Sequence, residues 1–419
     1  MKMLRLIWES LIMAVKAVMV NRLRAMLSLL GITIGIFAII AVFTIVDSLE
    51  MNIRESVSSL GNNVVYIEKW PWTTSEGETE YPWWKYMNRP QASFDEYEFI
   101  SRTSRLAFET SFVSATGRNI SYEKNSMEGT TIFGITTGFQ EIRSFEIEDG
   151  RYFSPFEIEG GRNIAVIGFE IGKQLFKGVN PIGKTIEMMG RKIQVVGVME
   201  KEGKGTFDSF ILDDVVLLPL NYYRNIIDIT RQGANPMIWV EAKPNADVRE
   251  LTDELRSLMR AYRRQQPSEE DSFALNQTSM IDNQLDQLFA VLKTAGFFIG
   301  IFSIIVGGFG IANIMFVSVK ERTRIIGIQK ATGAKSYFIL LQFLFESIML
   351  SVMGGILGLV IVFIGATAIN LSGDFNVYLT LNNIILGIGI SSTIGIVSGF
   401  APAWQGARMD PVVAMNTAF

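Results

Sequence analysis

The sequence predicts a membrane protein: an α-helical bundle of four spans in a 1 + 3 arrangement, with a large mixed α/β extracytoplasmic domain. Three observations predict it. Four stretches carry no charge, namely Ala25–Val46, Thr294–Ser318, Ser347–Asn370 and Ile384–Ala403. At about 20 residues or more, each is long enough for a helix to cross a hydrocarbon core ~30 Å thick. About 240 mostly polar residues separate the first stretch from the other three. Charge divides along the same line. Leu49–Gln287 holds 26 basic and 36 acidic residues, net −10, and the rest holds 12 and 6, net +6, behind an overall −4.

Taken in order, residues 1–24 place Leu4, Trp8, Leu11, Val15 and Val18 at helical spacing, with Arg5, Glu9 and Lys16 elsewhere on the wheel. That pattern suits an amphipathic helix along the inner membrane face, with Trp8 at headgroup level. The alternative is a plain extension of the first span. The first span, 25–48, is too long for a signal-peptide apolar region and lacks a small-residue cleavage site, so it reads as retained. Residues 49–287 form the outer domain. Val64–Ile67, Ile193–Val198 and Met237–Val240 read as strands. Residues 246–264 read as a helix, with Val248, Leu251, Leu255, Leu258 and Tyr262 in one stripe after Pro244 and Asn245. A glycine-richer portion, about 138–232, reads as an inserted subdomain. The second span is 288–318, followed by a loop at 319–335. The third is 336–370, then a short outer loop at 371–381. The fourth is 382–404, and 405–419 is a tail.

Basic residues near span ends stay in the cytoplasm. Lys2, Arg5, Lys16, Arg22 and Arg24 precede the first span against Glu9 alone. Lys320, Arg322, Arg324, Lys330 and Lys335 follow the second against Glu321, and the third-to-fourth connection holds only Asp374. Both termini and the 319–335 loop are therefore expected inside, and the large domain outside.

The chain has no cysteine and no histidine. That excludes thiol nucleophiles, disulfides and haem ligation, and leaves almost no route to a zinc site. No catalytic and no metal-ligating residue is assigned. The domain is large enough to bury a core without disulfides. Gly178-Val-Asn-Pro-Ile-Gly183-Lys184-Thr185 matches the phosphate-loop pattern, but that mechanism needs a strand before the loop and a helix after it. Here Phe169–Lys177 reads as a helix before the loop, and Thr185–Met199 as two strands after it. It reads as a turn.

Four features are candidates for function. Residues 69–90 gather Trp70, Trp72, Trp83 and Trp84, four of the seven tryptophans, among prolines, tyrosines and acids. They read as a long loop whose aromatics either pack on the domain or meet a partner or cargo; exposed aromatics anchor interfaces. Every span carries two glycines four residues apart: Gly31 and Gly35, Gly296 and Gly300, Gly354 and Gly358, Gly395 and Gly399. Such spacing lets helices approach closely and suggests a tight, dimeric bundle. The 319–335 loop has Ile325 and Ile328 at helical spacing and ends at Gly333, as a short surface helix available to another protein would. Glu346 is a carboxylate just before the uncharged part of the third span, and is costly there unless paired, protonated or wet.

The stretch Gly308–Lys335, with Lys320, Glu321, Arg322, Arg324, Ile326, Gly327, Lys330 and Gly333, resembles the signature region of MacB/FtsX-like ABC transporter permeases. So do Asn21–Gly35, Gln342–Glu346 with Gly354-Gly355, and Pro402-Ala403 with Asp410–Ala414. Asn180–Thr185 resembles a turn of the family's outer domain. The resemblance covers nearly the whole chain and is weakest at 69–90.

The resemblance implies a porter-like part and an inserted smaller part in the outer domain, and a bacterial inner (cytoplasmic) membrane location. It implies a homo- or heterodimer of permeases with separate ABC ATPase subunits docked on 319–335, and in some systems a periplasmic adaptor. ATP and magnesium would sit on the ATPases, with no cofactor on this chain and no nucleic acid among its partners. ATP-driven motion would be relayed to the outer domain to export or extract a substrate, this chain being non-catalytic. The alternative is an FtsX-like regulator that switches an envelope enzyme. The size of the outer domain favours transport.

Overall fold

A computed structural model of the chain describes residues 22–58, 61, 63–74, 80–202, 212–231, 233–372 and 376–416. All but the last residues of the N-terminal amphipathic segment lie outside that set. The chain divides into two compact units, one up to residue 51 and from 287 onward, the other 52–286.

In chain order the helices are α1 (Arg22–Ser58), α2 (Trp83–Tyr86), α3 (Phe94–Thr103), α4 (Phe139–Ile142), α5 (Pro155–Glu159), α6 (Phe169–Phe176), α7 (Leu220–Tyr223), α8 (Val248–Tyr262), α9 (Thr278–Glu321), α10 (Thr323–Ala331), α11 (Ser336–Ser372), α12 (Leu381–Arg408) and α13 (Pro411–Asn416). The strands are β1 (Val64–Glu68), β2 (Ala107–Tyr122), β3 (Asn125–Ile135), β4 (Ile147–Gly150), β5 (Ile164–Ile167), β6 (Thr185–Met188), β7 (Arg191–Met199), β8 (Val215–Pro219), β9 (Pro236–Ala242) and β10 (Ala274–Asn276).

In the α/β unit the strands form one sheet ordered β10-β1-β9-β2-β3-β8-β5-β7-β4, with β6 pairing β2 and β7. It is mixed: β3–β8 and β5–β7 are parallel, and the other pairings antiparallel. The segment expected as an inserted subdomain supplies β4 to β8, which join this same sheet through β3 and β2. Successive strand residues point to opposite faces. Val65 and Ile67 of β1 enter one core with Ile100, Leu251, Leu255 and Met259. Val64 and Tyr66 enter the other, with Phe139 and Trp239. Both faces are covered, so β1 reads as an unbroken apolar run rather than an alternation.

α8 buries Leu251, Leu255 and Met259, and Asp247 caps its start by accepting from the Arg249 amide. The helix therefore starts at Val248, two residues after the expected 246. Glu96 closes a capping box with Ser93 at the start of α3 and takes the Arg263 guanidinium at 2.7 Å, tying α3 to the end of α8. The phosphate-loop look-alike is a turn between α6 and β6, with Gly178 and Gly183 at positive φ.

Four described helices are long and apolar enough to cross a membrane, within Leu29–Arg54, Thr278–Glu321, Ser336–Leu371 and Leu381–Arg408. They pack around Ile32, Ile36, Ile39, Ile40, Met315, Phe343 and Ile394, all buried. The paired glycines serve this intrachain packing. A Cβ at Gly358 would stand 3.0 Å from the Phe37 nitrogen and 3.1 Å from the Thr33 oxygen. One at Gly395 would stand 2.7 Å from the Ile348 Cα. Gly296 and Gly300 face Val42 and Ile39, Gly354 faces Ile32, Gly399 faces Ser347, and Gly31 lies near Gly307. Gly35 is buried. Hydroxyls add to the α11–α12 seam: Ser347 Oγ donates to the Gly395 oxygen at 2.9 Å, and Ser351 Oγ to the Ser391 oxygen at 2.5 Å.

Towards the ends of α1 and α12, Asp47 joins three helices. Its carboxylate pairs with Lys293 of α9 at 3.0 Å and accepts from Asn383 of α12 at 3.1 Å. Lys293 also pairs with Glu50 at 2.8 Å.

Candidate functional site

α10 is the inter-span helix that the sequence singles out. The chain leaves α9 at Glu321 and re-enters helix at Thr323, whose hydroxyl donates to the Lys320 oxygen at 2.8 Å. The far end closes on Gly333 at φ +97°. Its amide donates to the Lys330 oxygen and the Ala334 amide to the Gln329 oxygen, at 3.1 and 2.9 Å. That is a Schellman end, which needs a left-handed residue, hence glycine.

The residues assigned to coupling divide into two sets. Lys320, Glu321, Arg324 and Gly333 are exposed. Ile326 and Gly327 are buried, and Arg322 and Lys330 are half-buried and engaged inside the chain. Arg322 Nη1 donates to Glu346 Oε2 at 3.1 Å, and the Glu346 side chain is only 2 % exposed. Glu346 is thus paired, ten residues into α11, and its partner is the residue that opens α10. Lys330 Nζ donates to the Met409 oxygen at 2.7 Å.

α13 was missed as a site element. It packs on α10, where a Cβ at Gly327 would stand 3.0 Å from Ala414 Cβ and 3.2 Å from the Met415 nitrogen. Its signal was in the sequence: Asp410 followed by Pro411 is an N-cap followed by proline in the first turn. Asp410 Oδ1 accepts from the Val412 amide at 2.8 Å. Beside the two helices lies a cleft of about 540 Å³ lined by Phe316, Lys320, Thr323, Gln405, Asp410 and Val413 among others.

In the α/β unit the four tryptophans separate. Trp72 packs on the domain, its ring 4.9 Å from that of Tyr66. Its Nε1 donates to Glu68 Oε1 at 2.5 Å, and its amide to Asn276 Oδ1 at 3.0 Å. Asn276 Nδ2 donates in turn to Glu68 Oε1 and to the Trp70 oxygen, both at 2.8 Å. Lys69 Nζ lies 5.1 Å from the Trp70 ring centre. Burial raises the Glu68 pKa to about 7, against the lowering effect of the Asn276 and Trp72 bonds. Of the two readings the sequence leaves open, packing on the domain is the one that describes Trp72. Trp83 and Trp84 on α2 are 52 % and 58 % exposed, edge to face at 5.9 Å. α2 is pinned beneath them by Lys85 to Glu270 at 3.1 Å and by Arg89 to the Phe273 oxygen at 3.1 Å.

Among the described residues no group of three or more His, Cys, Asp or Glu is placed to hold a metal ion.

Comparison with known proteins agrees with this layout. Residues 25–258 match the MacB-like periplasmic core domain, and 297–411 the FtsX-like permease C-terminal domain. The chain is 29% identical over 413 residues to the macrolide export ATP-binding/permease protein MacB of Neisseria gonorrhoeae, covering 97% of this chain and 60% of that protein. It is 28% identical over 410 residues to the ABC transporter permease YknZ of Bacillus subtilis, covering 97% of this chain and 98% of that one. The chain thus spans about 60% of the length of the MacB relatives it matches. The crystal structure of the periplasmic region of MacB from Actinobacillus actinomycetemcomitans aligns with a TM-score of 0.44 at 14% identity, over 55% of this chain and 95% of that structure. With the core-domain match alone spanning more than half of its residues, the chain belongs to the MacB/FtsX-like family of ABC transporter permeases.

Proposed function

We propose that the chain is the permease subunit of an ABC complex in the bacterial inner membrane, with both termini and α10 in the cytoplasm and the α/β domain outside. Separate ATPase subunits dock on the outward side of α10, and their ATP-driven closure is relayed through the bundle to the α/β domain, which exports or extracts a substrate. A second permease copy completes the assembly, and a periplasmic adaptor or the cargo meets Trp83 and Trp84. ATP and magnesium belong to the ATPases. The observation that carries this reading is the construction of α10. It is capped at Gly333, fastened through Arg322 and Lys330, and shows the basic Arg324 outward, next to exposed Lys320 at the end of α9. A helix held in this way can transmit force, whereas a loose basic loop only fixes orientation.

The test is Arg324→Glu in the full chain, co-expressed with its tagged ABC ATPase and isolated in mild detergent. Arg324 is exposed, so the fold survives the reversal. The expected result is loss of the ATPase from the complex, or loss of permease-stimulated ATP turnover. An intact complex with unchanged turnover overturns the reading.

A further inference from the structure

Glu68 closes β1 as the hub of a hydrogen-bonded stem under the tryptophan segment. Its Oε1 accepts from Trp72 Nε1 at 2.5 Å and from Asn276 Nδ2 at 2.8 Å. Asn276, on β10, also accepts from the Trp72 amide and donates to the Trp70 oxygen. The stem continues towards α2. Tyr81 Oη donates to the Pro71 oxygen at 2.8 Å, and its ring lies 5.6 Å from that of Tyr86. The exposed Trp83 and Trp84 stand on that same helix. Asn276 and Trp72, the two groups bonded to Glu68, are neutral, so neither brings a cation to offset the loss of water around a charge.

We propose that Glu68 is a proton-operated latch on the tryptophan segment. Protonated, it holds residues 70–72 shut on β10 and, through Tyr81, seats the Trp83–Trp84 surface. Ionised, it draws in water and frees the stem. The hold is geometric: a single carboxylate oxygen takes both the indole donor and the amide donor that fix the stem. The direction follows from burial, which holds the Glu68 pKa at about 7 instead of 4.5. With the stem closed the proton stays until about pH 7. Once water reaches the group, the proton leaves near the ordinary value. Between the two values, rising pH therefore favours the open stem. The groups around the stem are known. Tyr66 of β1 and Tyr81 are both held above the ordinary phenol value of 10, chiefly by burial, so they stay neutral over this interval. Arg143, after α4, faces Tyr66 and pairs with Glu202 at 2.7 Å. Arg89, after α2, lies 4.4 Å from the Tyr86 ring, and Lys69 turns its Nζ to the Trp70 ring. On β10 the facing residue is the uncharged Asn276.

Hydrogen exchange of the full chain in detergent, read by mass spectrometry, tests the latch, with labelling times scaled to the intrinsic rate at each pH. A proton held to about 7 in one state and 4.5 in the other moves the opening equilibrium roughly 70-fold between pH 5 and pH 8. The expected result is a fall in protection of that order in peptides spanning 69–74 and 81–86. A peptide from α8 should not change, and Glu68→Gln should show no fall. Trp72→Phe keeps a ring against Tyr66 but removes the Nε1 donor, and is expected to move the midpoint to higher pH. Wild-type protection that stays flat from pH 5 to pH 8, an equal fall in Glu68→Gln, or an unmoved midpoint in Trp72→Phe overturns the proposal. A parallel fall in the α8 peptide also overturns it, because the domain is then loosening as a whole. A fall at 69–74 without one at 81–86 overturns the hold on α2.

Discussion

Replacing Glu68 with glutamine is expected to stabilise the α/β domain near pH 8 and to leave it close to wild type near pH 4. Glu68 ends β1, where burial raises its pKa from 4.5 to about 7. The unfolded chain releases this proton near the lower value, and the folded chain keeps it until the higher one. Between the two the folded state binds more protons, so stability falls as pH rises. The stability is fully present below the unfolded pKa and is lost once pH has passed the folded one. At roughly 1.4 kcal/mol per pH unit, the loss over that interval is about 3 kcal/mol. Glutamine keeps a side-chain oxygen for Trp72 Nε1 and Asn276 Nδ2, so the contacts survive while the charge goes. For a domain of this size, ~3 kcal/mol corresponds to a Tm gain of roughly 6–12 °C near pH 8. The assay is denaturant unfolding of residues 52–286, wild type and Glu68→Gln, followed by circular dichroism at several pH values. Other titrating groups act on both proteins and cancel in the difference. A difference that stays flat with pH, or is largest in acid, refutes the reasoning.

Arg322→Ala should strip the buried Glu346 carboxylate of its cation, at a cost of about 3–5 kcal/mol. Replacing both residues with leucine should recover most of the loss in a thermal melt of the full chain in detergent, and a wild-type melt for Arg322→Ala alone would show that the pair holds nothing. Gly395→Ala places a methyl group 2.7 Å from the Ile348 Cα, which costs about 1–3 kcal/mol through overpacking. Gly389→Ala, with nothing within 4 Å of the new Cβ, should melt at or slightly above wild type; equal melts for the two variants would refute the assigned α11–α12 contact.

The four membrane helices were legible because a charge-free run of that length has few alternatives. Gly333 likewise marked the end of α10, since a left-handed helix end selects glycine. The start of α9 was not legible. It lies at Thr278, about ten residues before the predicted span, and the turns between carry Asp282 and Asp286, which placed them in the outer domain. In the fold Arg54 takes both carboxylates, the first at 3.1 Å. The β2–β3 hairpin was also unread, because its stability comes from partners distant in sequence: β9 on one side and β8 on the other. The sites show the same limit. Their residue types were visible, but the division of the tryptophans depends on Glu68 and Asn276, the latter some 200 residues away. The inward turn of Arg322 depends on Glu346 in another helix.

The cluster at Asp47 bears on how the chain is made. α1 leaves the ribosome more than 200 residues before α9 and α12. Most of what α1 later buries is isoleucine, which a bilayer accepts without help. Asp47 is different. Until Lys293 and Asn383 arrive it has neither of the bonds that settle it in the finished bundle, so it favours a wet position at the membrane edge. The early span is thereby kept from sinking or sliding. Each late helix that docks brings this carboxylate a partner, Lys293 from α9 and Asn383 from α12, so the polar contact adds a directional check to packing that isoleucine alone leaves free to slide.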